Sequence, residues 1–264
     1  MPAAFLEQID WRRPWLASVL PAAKLILQGS DWCDAINVLA SDRGLENHRS
    51  IPLKFVPQSD LPAGVAYETF ISQSGCVPTR ENLHDFFNAL VWLSYPRIKR
   101  QLNALQAAEI ARRQASAQSS RGKLRDAATI FDENAVLLLT SNPEIHDALR
   151  QHQWRKLFIE QRKTFETCCT VHLFGHALME KLVTPYKAIT GHAWVVQVDP
   201  AILALPEIER RDWLDAKVAV QLQNGLSTSD FSHLPVLGVP GWWSVQDESF
   251  YADTAVFRPA KQRQ

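Results

Sequence analysis

The sequence predicts an α+β fold, a single domain in which a mixed or antiparallel sheet is packed by several helices. Three observations lead there. Stretches of helical and of strand periodicity are interspersed along the 264 residues without regular alternation. A glycine-rich phosphate turn, which a doubly wound parallel sheet would carry, is absent. No long linker interrupts the apolar pattern, and a chain of this length can bury one large core. Residues 1–264 are therefore read as one domain.

The first 50 residues read as helical. Ser30 stands as an N-cap before Asp31, and Trp32, Ile36 and Leu39 recur at helical spacing up to Gly44. Two strands are expected at 52–57 and 65–73, joined through Pro62-Ala63-Gly64. A helix capped by Thr79 then runs to Trp92. At roughly 100° per residue, Leu83, Phe86, Phe87 and Leu90 form a core face. Arg80, His84, Asp85 and Asn88 form a polar face. Trp92 projects into the middle of that polar face, so the face is expected to be covered or to line a cleft, with Trp92 buried against a second layer, either the Pro240-Gly241-Trp242 turn or a neighbouring helix. Pro96 ends the helix, because proline disfavours α geometry at Tyr95.

A second helix is predicted at about 97–114. Residues 114–122 are of low complexity and read as a mobile loop. Residues 126–131 and 135–140 read as a hairpin across Asp132-Glu133-Asn134. Ser141-x-x-Glu144 reads as a capping box that opens a helix bearing His146. Residues 168–174 alternate as a strand and run straight into a helix at 175–183. A strand at 193–198 and an amphipathic helix at 207–223 follow. Residues 234–264 form an aromatic-rich C-terminal wrap.

Net charge is zero, so bulk electrostatics point to no nucleic acid or membrane partner. The four cysteines, Cys33, Cys76, Cys168 and Cys169, form no C-x-x-C, a reduced and intracellular pattern. Glu7, Asp10, Arg12 and Arg13 stand where a secretion signal would need apolar residues. No apolar run approaches the roughly 18 residues of a membrane span. The cytoplasm is the expected location. The charge is nevertheless uneven. Arg97 to Arg125 holds eight Lys/Arg against one acid, Glu109, a local excess of +7 that the remainder offsets. That excess reads either as a phosphate or nucleic-acid surface or as a solvated helix and loop.

Three groups of residues carry candidate chemistry. On the central helix, His84, Asp85 and Asn88 combine imidazole, carboxylate and amide within one turn, a set that serves metal binding or general base work. The alternative is a plain polar face with Asp85 in a capping role. In Val171-His172-Leu173-Phe174-Gly175-His176-Ala177-Leu178-Met179-Glu180, the glycine turn places His176 in a first helical turn and Glu180 one turn later. It is not the H-E-x-x-H zinc motif. The alternative there is a local hydrogen bond for His176 and an ion pair of Glu180 with Lys181 or Lys187. Asp126, beside Arg125, is the third candidate, while Asp132 and Glu133 most economically make a turn. No G-x-S-x-G nucleophile elbow occurs.

Several blocks together are familiar: Arg80-x-Asn82-Leu83-His84-Asp85 to Trp92; Pro96 and Lys99; Arg125-Asp126 with Asp132-Glu133; Gly175-His176-Ala177 with Glu180 and Pro185; and Leu237-Gly238-Val239-Pro240-Gly241-Trp242 with Tyr251 and Phe257-Arg258-Pro259. In these the chain resembles a bacterial domain-of-unknown-function family, number 3025, from about residue 50 to about 259. The resemblance implies that the blocks belong to one module; it implies no activity.

The residue chemistry therefore carries the functional expectation, a metal-assisted hydrolase acting on an anionic, phosphoester-like substrate. His84, Asp85, Asn88, His176 and Glu180 are the catalytic candidates. Arg80, Lys99 and Trp92 are the substrate-binding candidates. His84, Asp126 and His176 are the candidate ligands of a divalent metal. The alternatives are a non-enzymatic module binding a small anion or nucleic acid, and a partner-binding protein whose polar blocks form a buried network.

Overall fold

The computed structural model describes residues 4–115 and 122–260. In chain order its regular elements are α1 (Leu20–Ile26), α2 (Trp32–Asp42), β1 (Lys54–Pro57), α3 (Tyr67–Ser74), β2 (Cys76–Thr79), α4 (Leu83–Ser94), α5 (Pro96–Ala115) and α6 (Lys123–Asn134). Then come β3 (Ala135–Thr140), α7 (Pro143–Arg150), α8 (Arg162–Cys168), β4 (Cys169–Leu173), α9 (His176–Lys181), β5 (Thr190–Gln197), α10 (Pro200–Leu203), α11 (Glu207–Leu222), β6 (Ser232–Pro235) and α12 (Glu248–Tyr251). The fold is α+β, as expected.

The larger sheet has the order β4-β3-β5-β6. Its central pair, β3 and β5, is parallel, and both outer strands run antiparallel to their neighbours. All six residues of β3 are buried, which explains why it reads as a continuous apolar run rather than an alternating one. A second, two-stranded sheet pairs β1 with β2 in parallel. One continuous apolar cluster joins the N-terminal helices, both sheets and the C-terminal aromatics. Near the C-terminus, Trp242 meets Trp15, while Tyr251 and Phe257 pack near Phe158 and Trp154.

Helix α4 runs through the middle of this cluster, and every residue from Asp85 to Ser94 is buried. The expected polar side is thus covered rather than solvated. Trp92 is 1% exposed, with Lys99 of α5 lying 5.2 Å from its ring centroid. Of the two layers foreseen over Trp92, the neighbouring helix is the one that meets it. The N-cap of α4 is Asn82, not Thr79: its Oδ1 accepts the Asp85 N–H at 2.8 Å, while Asp85 reaches back to the Arg80 N–H at 2.7 Å. Across Tyr95 and Pro96 the chain turns into α5. The first N–H groups of α5 are capped from a distance by Asp215 of α11, which accepts from Arg97 at 3.0 Å and Ile98 at 2.9 Å.

Several sequence expectations are corrected. Residues 65–73 do not form a strand; α3 occupies them and ends at Gly75, whose φ of 73° is the left-handed helix-terminating conformation. A Cβ on Gly75 would stand 2.3 Å from the Pro52 carbonyl oxygen, so the glycine also allows β2 to start against β1. The hairpin expected over 126–140 is a helix followed by a strand, because Ala127, Ala128 and Phe131 form a buried helical stripe. The cap of α2 is Asp31 rather than Ser30, and that of α7 is Asn142 rather than Ser141. The short strands β2 and β6 were not foreseen. Of the expected mobile loop at 114–122, residues 116–121 lie outside the described residues.

Candidate functional site

Three short connections bring the polar residues of α3, α4, α6 and α9 into one cavity of about 470 Å³. The tightest is Gly175. A Cβ there would stand 2.5 Å from the Glu133 carbonyl oxygen and the Asn134 nitrogen. Only glycine lets the β4–α9 turn press against the α6–β3 junction, and that contact sets His176 beside Asp132 and Glu133. Helix α4 supplies His84, Asp85 and Asn88 from the facing side, and α3 supplies Tyr67 and Glu68.

The two histidines face each other, with ring centroids 4.6 Å apart and planes at 81°. Their Nε2 atoms are 3.1 Å apart. Behind His84, Nδ1 lies 2.9 Å from Glu180 Oε2. Behind His176, Nδ1 stands 3.9 Å from Asp132 Oδ2 and has no hydrogen-bond partner. The carboxylate bonded at His84 Nδ1 holds that ring in the tautomer that leaves Nε2 bare. Glu133 adds a carboxylate oxygen, and one ligand atom from each of His84, Glu133 and His176 lies within 4.8 Å of the others.

This donor set fits a divalent cation. Two nitrogens bound at tetrahedral zinc distances are about 3.3 Å apart, close to the observed separation. Two His and one Glu also leave a coordination position open, the pattern of catalytic rather than structural zinc. Charge agrees in sign: Glu68, Asp85, Asp132, Glu133 and Glu180 stand around the site against Arg80, Lys99, Arg125 and Lys181, an acidic excess.

The remaining polar groups form a directed chain. Lys99, 4% exposed, donates from Nζ to Asn88 Oδ1 at 2.8 Å and to Asp132 Oδ1 at 2.6 Å. An ammonium only donates, so Asn88 must turn its oxygen to Lys99 and its amide to Tyr67. Asn88 Nδ2 duly donates to the Tyr67 hydroxyl oxygen at 3.1 Å. That leaves the Tyr67 O–H free to donate elsewhere, and Tyr67 lines the cavity.

The electrostatics follow burial. Burial alone would raise the Asp132 carboxyl, but Lys99 and His176 outweigh it and hold it below the usual carboxylate range. Burial pushes Glu133 up despite the nearby His84, and likewise Glu68. Burial pulls His176 down to about 4, against the opposing charge of Asp132, so at neutral pH it is an uncharged imidazole. Burial, aided by Glu68 and Asp132, keeps Tyr67 protonated.

Of the residues singled out from sequence, His84, Asp85, Asn88, His176 and Arg80 line this cavity, and Glu180 supports it through His84. Asp85 is committed to Arg80, accepting from its Nε at 2.9 Å and Nη2 at 3.2 Å. Lys99 lies beneath the cavity in a buried ion pair rather than facing a ligand, and Trp92 is packed behind it. Asp126 does not join the histidines. It is exposed and lines a separate cavity with Arg112, Arg113 and Lys123. Glu133, read from sequence as a turn residue, stands in its place. His172 also parts from His176; it is buried beside Tyr95, its Nδ1 3.1 Å from the hydroxyl. The basic run is dispersed. Lys99 pairs with Asp132, Arg112 and Arg113 pair with Glu109, and Arg97 and Arg100 line another cavity.

Fold and site together define an α+β protein built around a histidine–carboxylate cavity. The model of the family described as Protein of unknown function (DUF3025) matches residues 53–261, and the chain belongs to that family. Every residue lining the cavity falls within that segment. No curated protein and no solved structure matches the chain. Among the described residues, no helix is long and apolar enough to cross a membrane.

Proposed function

We propose that this protein is a metal-dependent hydrolase of an anionic, phosphoester-like substrate, with His84, His176 and Glu133 as ligands of a divalent cation. One observation carries the reading: two imidazole Nε2 atoms converge at 3.1 Å, with a Glu133 oxygen within reach of both rings and Glu180 bonded behind His84. A bound cation would supply a water of lowered pKa and a Lewis acid. Glu180 orients the His84 ring. Tyr67, its oxygen occupied by Asn88, directs its O–H at negative charge developing on the substrate.

Arg125 supports the anionic substrate class. It lines the cavity and makes no hydrogen bond or ion pair among the described residues, and its Nε is buried without a partner. Arg125 and Glu133 are eight residues apart on α6, about 12 Å along the axis. A guanidinium at that reach suits a second anionic group of the substrate, such as a neighbouring phosphate. Arg80, already held by Asp85, serves the rim. The four free cysteines fit a reducing compartment such as the cytoplasm.

Elemental analysis of protein purified without chelators tests the assignment. Wild type is expected to hold about one equivalent of a transition metal and to cleave a nitrophenyl phosphate ester. His84→Ala, His176→Ala and Glu133→Gln should each lose both properties while keeping the circular-dichroism spectrum. Glu180→Gln should keep the metal but bind it about 10–100-fold more weakly, as supporting carboxylates do. A wild type that stays metal-free on titration with zinc, manganese and magnesium would leave the buried polar network as the better account. Metal binding without esterase activity would overturn the hydrolase reading alone.

A further inference from the structure

A second cavity, of about 390 Å³, lies where the α4–α5 corner meets α11 and the segment after α2. Four arginines line it: Arg43, Arg97, Arg100 and Arg211. Two are anchored through single bonds that leave most of the guanidinium unused. Arg43 Nη1 donates to the Leu93 carbonyl at 2.9 Å, and Arg97 Nη1 to the Asp212 carbonyl at 3.2 Å. Arg211, 8% exposed, is held by the Ser18 carbonyl and by Asp212, and its Nε is buried without a partner. Arg100 makes no hydrogen bond or ion pair among the described residues.

The acids that line the cavity offset this group only in part. Asp215 caps α5, accepting two backbone N–H groups, and stands 3.9 Å from Arg97 Nη1. Asp212 is taken by Arg211, and Glu46 is exposed. The crowding is felt: burial and the charge of Arg211 both lower the basicity of Arg43. Like charges are held together here by backbone carbonyls, an arrangement that an anion would stabilise.

We infer that this cavity binds a non-aromatic, phosphate-bearing small molecule. Guanidinium forks match phosphate oxygens two at a time, and several free forks around one cavity suit a multiply charged group. No aromatic ring lines the cavity, so nothing there would stack on a nucleobase. The inference stands apart from the proposed hydrolase. It uses neither the histidines nor a metal, and it holds or fails whatever the first cavity does.

Calorimetric titration of the full chain with inorganic pyrophosphate, in EDTA to remove metals, tests it. Wild type is expected to bind one equivalent. Arg100→Gln and Arg43→Gln, both exposed positions, should each weaken binding at least tenfold, whereas Arg155→Gln, exposed and outside both cavities, should leave it unchanged. Absence of binding at millimolar pyrophosphate would overturn the assignment. So would loss in Arg155→Gln with retention in the other two, or an equal loss in all three, which would mark a response to net charge alone.

Discussion

The two cavities handle charge in opposite ways. Around the histidines, several charged groups meet a partner of the other sign: Lys99 meets Asp132, Arg80 meets Asp85, and His84 meets Glu180. The arginine cavity keeps four guanidinium groups together and ties them mainly to backbone carbonyls. The first thus combines internal ion pairs with an acidic excess, while the second gathers an excess of the opposite sign. They also differ in origin. The histidine cavity lies wholly inside the family-matched segment, whereas Arg43 and Glu46 precede it. The site that belongs to the module is the one whose chemistry is fully assembled.

Neighbouring residues on one helix break or sharpen this contrast most strongly. Lys99→Met would leave Asp132 buried without its counter-charge, which costs about 3–5 kcal/mol. Arg100→Gln, one position on, removes an exposed group with no partner and should change stability by less than about 0.5 kcal/mol. Urea unfolding of both variants checks the pair. Equal destabilisation would mean that the arginine cavity is as tightly paired as the other.

Gly175→Ala comes next. The added methyl meets backbone atoms of Glu133, Asn134 and Ala135 at 2.5–2.6 Å, and none of these can rotate away. A cost of about 3 kcal/mol is expected from such overpacking. Since α9 must move off the α6–β3 junction, metal binding should fall with it, while pyrophosphate binding by the arginine cavity persists. Parallel thermal melts and the two titrations would show whether the cavities separate in this way. Loss of both ligands in a protein that still folds would mean that they are mechanically one.

Much of the first cavity was legible in the chain. His84 and Asn88 follow from helical spacing on α4, and the glycine turn from β4 into α9 puts His176 and Glu180 on one side. Trp92 on the polar face already implied cover. What escaped was everything contributed by α3 and α6. Thr129 and Ile130 are β-branched and precede Asp-Glu-Asn, so local chemistry suggested strand and turn. Yet Arg125, Thr129, Asp132 and Glu133 share the cavity side while Ala127, Ala128 and Phe131 share the core side, and both stripes follow the helical period across α6. Asp132 is spent on Lys99, not on a turn. In α3 the β-branched and aromatic residues Val65, Tyr67, Thr69, Phe70 and Ile71 hid a short helix whose clearest sign was Gly75 just past its end. The arginine cavity was only half visible: the basic run held Arg97 and Arg100, but Arg43 and Arg211 lie more than fifty residues from either, and only the packing of α11 on α5 unites them.

A pH-dependent effect separates the two histidines of the β4–α9 segment. Both are pulled down by burial. His172, toward Arg210 and Arg211, falls to about 3, whereas His176, toward Asp132, falls to about 4. Unfolded imidazole titrates near 6.5. Between about pH 6.5 and 3 the unfolded chain therefore binds a proton at position 172 that the folded chain does not. The stability associated with the neutral ring is fully present above pH 6.5 and is lost as pH falls. Its slope is about 1.4 kcal/mol per pH unit at most for one such group. Asp215, raised by burial to about 6, slopes the other way between its unfolded value and that pH. It does so equally in wild type and in a variant at 172, so their difference isolates the imidazole. His172→Asn keeps a polar group that can meet the Tyr95 hydroxyl, and it should unfold with a shallower acid limb than wild type. Identical limbs would mean that His172 takes up its proton in the folded state, and that burial beside Arg210 and Arg211 does not hold the ring neutral.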